Sequence, residues 1–333
     1  MSIFRRTTIA IAGLVLLLMG SASSAATLKL ATLSPDGSGW MKVLRKHGAN
    51  IEQRTDGNVK VKFYPGGVMG DDKAVLRKMR VGQLHGAVVT SGGLMQAYPD
   101  IVLYSLPLMF RNEAEVDAVR EAMDDRLMQG LSENKFVGFG FAEVGFAYPM
   151  TQANATSVEQ MRSLKVWTPD NDPGALAAFD AFNITPIPLP MADVLTGLQT
   201  GLIDSIASPP IATIALQWHT QVEYGLELPL LYVYGTLALT ERAFKRLSAE
   251  EQAIVREELE AAVAEADSTA RRDHVSAKAA LSGQGVVWQK PETDSMNRWD
   301  TLAEDARARL IANNYVTPEV YAEVEALLQK LRE

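Results

Sequence analysis

One stretch of this chain is too long to lie inside an ordinary domain. Ser248-Ala-Glu-Glu251 has the form of a capping box, in which the serine and the third helical residue satisfy each other's backbone N–H groups. From there to about Leu281 neither proline nor glycine interrupts the pattern. A helix of about 34 residues is ~50 Å long at 1.5 Å per residue. A lobe of ~150 residues has a radius of gyration near ~15 Å. The helix is therefore expected to bridge two lobes. A further helix, from Pro318 to Leu331, closes the chain.

The remaining pattern also reads as two α/β lobes. Leu28 to Thr32 is a buried strand, and Ser34-Pro-Asp-Gly-Ser-Gly39 is a turn cluster. Trp40, Val43, Leu44, His47 and Ile51 then recur at helical spacing. Val59, Val61 and Phe63 alternate as a strand that ends at Pro65-Gly66-Gly67. Asp71 and Asp72 can cap a helix carrying Val75, Leu76 and Met79, and Ala87 to Val89 makes the next strand. Such alternation predicts a mostly parallel sheet covered on both faces. A second unit resembles the first. Val75-Leu76, Met79, Gly82, Leu84 and Gly86 correspond to Val194-Leu195, Leu198, Gly201, Ile203 and Ser205, each pair offset by 119 positions. Upstream, Leu164-Lys165 before the Pro169 to Gly174 turn echoes Leu28-Lys29 before its own turn. Ligands of open α/β sheets sit beyond the carboxyl ends of the strands, so two such lobes facing each other enclose a cleft.

At the N-terminus, Arg5-Arg6, the apolar run Ile9 to Met19 and the small residues Ser21 to Ala26 read as a secretory signal cut after Ala25 or Ala26. The run is shorter than the ~20 residues of a spanning helix. Export leaves a mature chain of about 307 residues, the length of two domains. The sequence contains no cysteine, which rules out disulfides, thiolate metal sites and cysteine nucleophiles. The net charge of −8 becomes about −10 once Arg5 and Arg6 are removed, against the basic face that nucleic-acid binding requires. His47, His85, His219 and His274 show no metal-ligand spacing. No nucleophile elbow or P-loop occurs; Gly92-Gly93 follows a strand, but no Lys-Ser/Thr follows it. The residues thus point to no catalytic group, metal or cofactor.

A series of landmarks then narrows the reading. Phe63-Tyr-Pro-Gly-Gly-Val-Met-Gly70, Gly82-Gln-Leu-His-Gly86 and Leu106-Pro-Leu-Met-Phe110 come first. Leu164-Lys-Val-Trp-Thr-Pro169, Ala192 to Asp204 and Leu247-Ser-Ala-Glu-Glu-Gln252 continue them in order. Together they resemble the receptor subunits of tripartite ATP-independent periplasmic (TRAP) transporters, of the dicarboxylate-receptor type. The resemblance covers nearly all of the mature chain. It implies a two-lobed periplasmic-binding-protein fold with a hinge and a long helix spanning both lobes. It further implies a receptor that binds small molecules, usually organic acids, and passes them to a sodium-driven permease.

The chain departs from that family's pattern where the ligand is held. The family usually reads Leu-Lys-Ile-Arg-x-Pro, and its arginine clamps a ligand carboxylate, a task suited to the planar guanidinium fork. Here that position is Trp167. A second frequent arginine follows Gly-Phe, and here Gly145-Phe146 is followed by Ala147. After Asp204 the family often has Gln-Glu-Asn-Pro, and this chain has Ile206-Ala207-Ser208-Pro209. The expected cleft is accordingly apolar, and an unpaired carboxylate buried there would cost several kcal/mol. An aromatic or otherwise apolar solute fits, as does a cation stacked on Trp167 with Glu143 nearby. The expected ligand-binding residues are Trp167, Glu143, Ala147, Ser91, Ser208, Trp40, Ile206 and Trp218, with Tyr232 and Tyr234 as further candidates. Trp167 either floors the ligand or only packs the hinge.

The resulting expectation is a monomeric, non-enzymatic solute receptor in the periplasm, feeding the membrane permease subunits of a TRAP transporter. The alternative is a receptor of the same fold feeding a signalling protein. The expected layout is signal peptide 1–26, one lobe from 27–144 with about 232–275, and a second from 145–231 with about 276–333.

Overall fold

A computed structural model describes residues 25–170 and 172–333. Apart from Ala25 and Ala26, the expected signal peptide lies outside the described residues. In chain order the strands are β1 (Ala26–Thr32), β2 (Val59–Tyr64), β3 (Gly86–Thr90), β4 (Phe136–Thr151), β5 (Trp167–Pro169), β6 (Ile187–Leu189), β7 (Ser205–Ser208), β8 (Tyr224–Leu226), β9 (Leu231–Thr240) and β10 (Val287–Gln289). Strands β2, β1 and β3 are parallel neighbours, as the alternating pattern predicts. The returning strand β9 then runs antiparallel to β3, and β4 antiparallel to β9.

The two lobes are joined through β4. Its residues 136–147 pair with β9, and its residues 148–151 pair with β7 and β8. Sixteen residues at ~3.3 Å each reach ~50 Å, enough to serve both halves. The lobes therefore do not carry wholly separate sheets. One strand is shared, and its register shifts between Gly138 and Phe141 and between Glu143 and Gly145 as it crosses. The 119-residue correspondence survives in three dimensions. Each of its two segments is a helix followed by a strand, with β3 starting at Gly86 and β7 at Ser205.

The long helix runs from Ala249 to Gly283. Its capping box forms as read: Ser248 Oγ accepts from Glu251 N (3.2 Å), and Ser248 N donates to Glu251 Oε2 (2.8 Å). Val255, Leu259, Ala262, Val263 and Ala266 pack in one core with Leu28, Leu30, Met41 and Leu44. Leu281 packs in another with Met150, Val194 and Ile206. One continuous helix thus serves the cores of both lobes. The C-terminal helix Pro318–Arg332 belongs with the first half, whereas the sequence reading groups residues 276–333 with the second. Val320, Val324 and Leu328 share a core with Val116, Val119 and Met123. Arg332 pairs with Glu115 (2.8 Å), and Thr317 N donates to Asp100 Oδ1 (2.6 Å). Helical periodicity shows which face of this segment is apolar but not which lobe receives it. Among the described residues no helix is long and apolar enough to cross a membrane.

Candidate functional site

A cavity of about 510 Å³ lies between the lobes. Its walls come from the loops beyond the carboxyl ends of β1, β3, β5 and β7, the position expected of ligands in α/β sheets. The small residues Ala266 and Ala270 of the long helix form its back. Because these side chains are short, the helix approaches the cleft closely while the larger Val263 and Leu259 face the core.

Trp167 opens β5 and lines the cavity. It is also a core residue, 5% exposed. Its indole N–H donates to the Leu189 carbonyl (3.0 Å), and its ring meets that of Trp218 edge to face, with centroids 5.3 Å apart. The two alternatives for Trp167 are therefore not exclusive in this structure: one face of the environment is core, the other is cavity. Trp218 lines the same wall, and the partly buried Trp40 stands on the first lobe beside Gly235. Ser91 and Ser208, both buried, line it too.

Two of the eight expected residues are not on the wall, and neither is the further candidate Tyr232. Ile206 is buried among Met150, Val194, Leu198 and Ile203 in the second lobe's core. Ala147 is buried where β4 pairs with Leu231 of β9. The neighbour of Ile206, Ala207, lines the cavity instead, as does Ser208 where the strand ends.

Glu143 reaches the wall, but its carboxylate is engaged elsewhere. Arg271 of the long helix holds it in a fork, with Nε at 2.6 Å and Nη2 at 2.7 Å, and the Tyr232 hydroxyl donates to it. Burial alone would push this acid's pKa up. The Arg271 guanidinium and the Tyr232 hydroxyl outweigh burial and hold it below the ordinary carboxylate range. Glu143 is thus a charged brace between the hinge strand and the long helix, and its charge is already matched. Beside it, Gly145 has φ +103°, and a Cβ there would collide with the His274 ring.

Besides Tyr234, a further candidate from the sequence, the wall contains Asp172 and Thr168, which the sequence did not single out. Asp172 caps the helix Pro173–Ala181, accepting from Ala175 N (2.9 Å). Burial pushes its pKa up, while the Ala175 and Gly174 N–H groups pull it down less. An Asp before Pro at the first helical position is a recognisable helix start. Its exposure to the cleft has no sequence signal, because it depends on Gly92 of the other lobe. A Cβ on Gly92 would collide with the Asp172 carboxylate. Thr168 and Tyr234 line the cavity with buried hydroxyls that find no hydrogen-bond partner, although the Tyr234 hydroxyl is directed toward Ser91. Among the described residues the wall includes no lysine, arginine or histidine, and its acidic residues are Glu143, Asp172 and Asp273.

A two-lobed fold, a bridging helix and a large interlobe cavity define a solute-binding protein. A profile of the family described as "Bacterial extracellular solute-binding protein, family 7" (DctP) matches residues 30–313, and the chain belongs to that family, whose members include TRAP transporter receptors. It is 28% identical over 167 residues to the 2,3-diketo-L-gulonate-binding periplasmic protein YiaO of Escherichia coli K12, covering 50% of this chain and 51% of that protein. It is 23% identical over 261 residues to the sialic acid-binding periplasmic protein SiaP of Vibrio cholerae, covering 77% and 79%. The fold matches that of the sugar acid binding protein DctPAm of Advenella mimigardefordensis, solved with galactonate, with a TM-score of 0.83 and 18% identity over 92% of this chain and 99% of that one. The chain therefore spans about half the length of YiaO and most of the length of SiaP and DctPAm. Members of the family are binding proteins of transporters and not enzymes.

Proposed function

We propose that this protein is exported to the periplasm, captures a small solute between its lobes as a monomer, and delivers it to the membrane permease subunits of a TRAP transporter. We further propose that its solute is more apolar or aromatic than a C4-dicarboxylate. The observation that carries this reading is the character of the cavity wall. Trp167, Trp218 and Trp40 line it, and no basic side chain among the described residues does. The relatives bind acids such as diketogulonate, sialate and galactonate. The same chemistry transfers poorly to this chain, since Trp167 occupies the position of the family's carboxylate clamp.

Burial of apolar solute area contributes ~25 cal/mol per Å², and edge or face contacts with the indoles add ~0.5–1.5 kcal/mol each. An unpaired carboxylate in the same place would lose several kcal/mol. Trp167, Trp218, Trp40, Ser91 and Ser208 are the proposed contact residues. The two lobes close by hinge bending of β4 and β9, with residues near 144 and 232 as the crossing points and the C-terminal helix returning to the first lobe.

A thermal-shift screen of the mature protein tests this reading, because a bound solute raises the melting temperature by mass action. Aromatic and apolar solutes are expected to raise it. A response confined to succinate and sugar acids overturns the reading.

A further inference from the structure

Several hydroxyls on the cavity wall have a fixed direction. The Ser105 hydroxyl donates to the Tyr232 carbonyl (3.0 Å), so the Ser91 hydroxyl, 3.0 Å from Ser105 Oγ, must donate to Ser105. A hydroxyl has one proton, and Ser91 is left with lone pairs only for anything in the cavity. The same holds for three other wall hydroxyls. Ser208 donates to the Pro209 carbonyl (3.3 Å), Thr90 to Asp72 Oδ2 (2.6 Å) and Thr269 to the Glu265 carbonyl (2.8 Å). The carboxylate of Asp172 is likewise an acceptor. Thr168, buried and unpartnered, is free to serve either way, and the Tyr234 hydroxyl lies beside Ser91.

The charges lean the same way. The Gly92-Gly93 turn is wedged between two carboxyl groups, Asp172 from the second lobe against Gly92 and Asp72 from the first against Gly93. Burial pushes both pKa values up, that of Asp72 to about 6, and each would be relieved by a nearby positive charge. Among the described residues, no lysine, arginine or histidine of the wall offers an anion a charged counterpart. The first free N–H groups of the helix Pro173–Ala181 are taken by Asp172 itself, and Pro210 removes one donor at the start of the next wall helix.

Resting on the reading of an apolar receptor cleft above, we infer that the solute is a small organic amine with an apolar or aromatic body, its nitrogen donating to Asp172 of one lobe and Ser91 of the other. The indoles of Trp167 and Trp218 take the body of the solute. An ammonium held between Asp172 and Ser91 also ties the lobes together, so capture and closure become one event.

The test uses three matched probes, 2-phenylethylammonium, 2-phenylethanol and phenylacetate, titrated calorimetrically into the mature full-length chain and its Asp172→Asn variant. Asparagine is as good a helix cap as aspartate, so the variant removes the charge and keeps the fold. The amine is expected to bind the parent most tightly, and Asp172→Asn to weaken it about tenfold or more, with the alcohol little affected. Phenylacetate binding as tightly as the amine overturns the inference, as does unchanged amine affinity in Asp172→Asn or no amine binding at millimolar concentration. If the alcohol or acid binds and the amine does not, the inference fails and the apolar cleft stands. If none of the three binds while succinate does, the apolar reading fails as well.

Discussion

Replacing Trp167 with alanine should damage stability and binding together, because the residue belongs to both the second lobe's core and the cavity wall. Three losses add on the stability side. The indole N–H bond to the Leu189 carbonyl disappears, at about 1 kcal/mol. The edge-to-face contact with Trp218 disappears, at about 0.5–1.5 kcal/mol. The void left by a nearly fully buried ring brings the total to about 3–5 kcal/mol, the range for aromatic-to-alanine changes in cores. For lobes of this size, that lowers the melting temperature by about 10 °C. On the binding side, a central aromatic anchor is worth about 2–4 kcal/mol. Differential scanning fluorimetry of the unliganded variant, with calorimetry at a temperature where it remains folded, separates the two effects. Trp167→Phe should recover part of each. A large fall in melting temperature with unchanged affinity for an aromatic probe would refute the assignment of Trp167 to the ligand's floor. Unchanged stability would refute its role in the core.

Gly92→Ala should weaken solute binding while leaving the unliganded protein nearly as stable, since only the approach of Asp172 from the other lobe opposes the new methyl group; small-angle scattering should show less compaction on adding solute. Gly145→Ala should be strongly destabilising, because φ +103° disfavours any side chain and His274 fills the space; a melting temperature within 2 °C of the parent's, roughly the precision of ~1 kcal/mol, would contradict this. Asp72 carries a pKa raised from 3.8 to about 6 by burial. The folded state therefore holds this proton in a pH window where the unfolded state has lost it, and the contribution of Asp72 to stability falls as pH rises between those values. Asp72→Asn should accordingly gain stability relative to the parent at pH 7.5 compared with pH 4.5, and an equal difference at both would contradict the burial argument.

The large features of the fold were legible because they rest on local rules. An uninterrupted helical stretch with a capping box, Ser248 to Glu251, announces its own length, and length alone required two lobes. The match of Val75 to Gly86 with Val194 to Ser205 identified equivalent helix-strand units, which the structure repeats at β3 and β7. What depends on distant partners was hidden. Glu143 looked like a free acid near the cleft, but Arg271, 128 positions away, neutralises it. Ile206 and Ala207 are adjacent in sequence, and only the pairing of β7 with β4 decides which faces the cavity. Asp172 was visible as part of a turn, yet its place on the wall depends on Gly92 of the opposite lobe. The final helix carried an apolar stripe without an address, and Val320 and Val324 took it to the first lobe.

The central claim is that this cleft holds its solute by aromatic and apolar contact, without a carboxylate clamp. Parallel calorimetric titrations of the mature protein with an aromatic probe and with succinate test it most directly. The account predicts heat of binding and saturation for the aromatic probe and none for succinate, with Trp167→Arg reducing the first response. Tight succinate binding by the parent protein would contradict it.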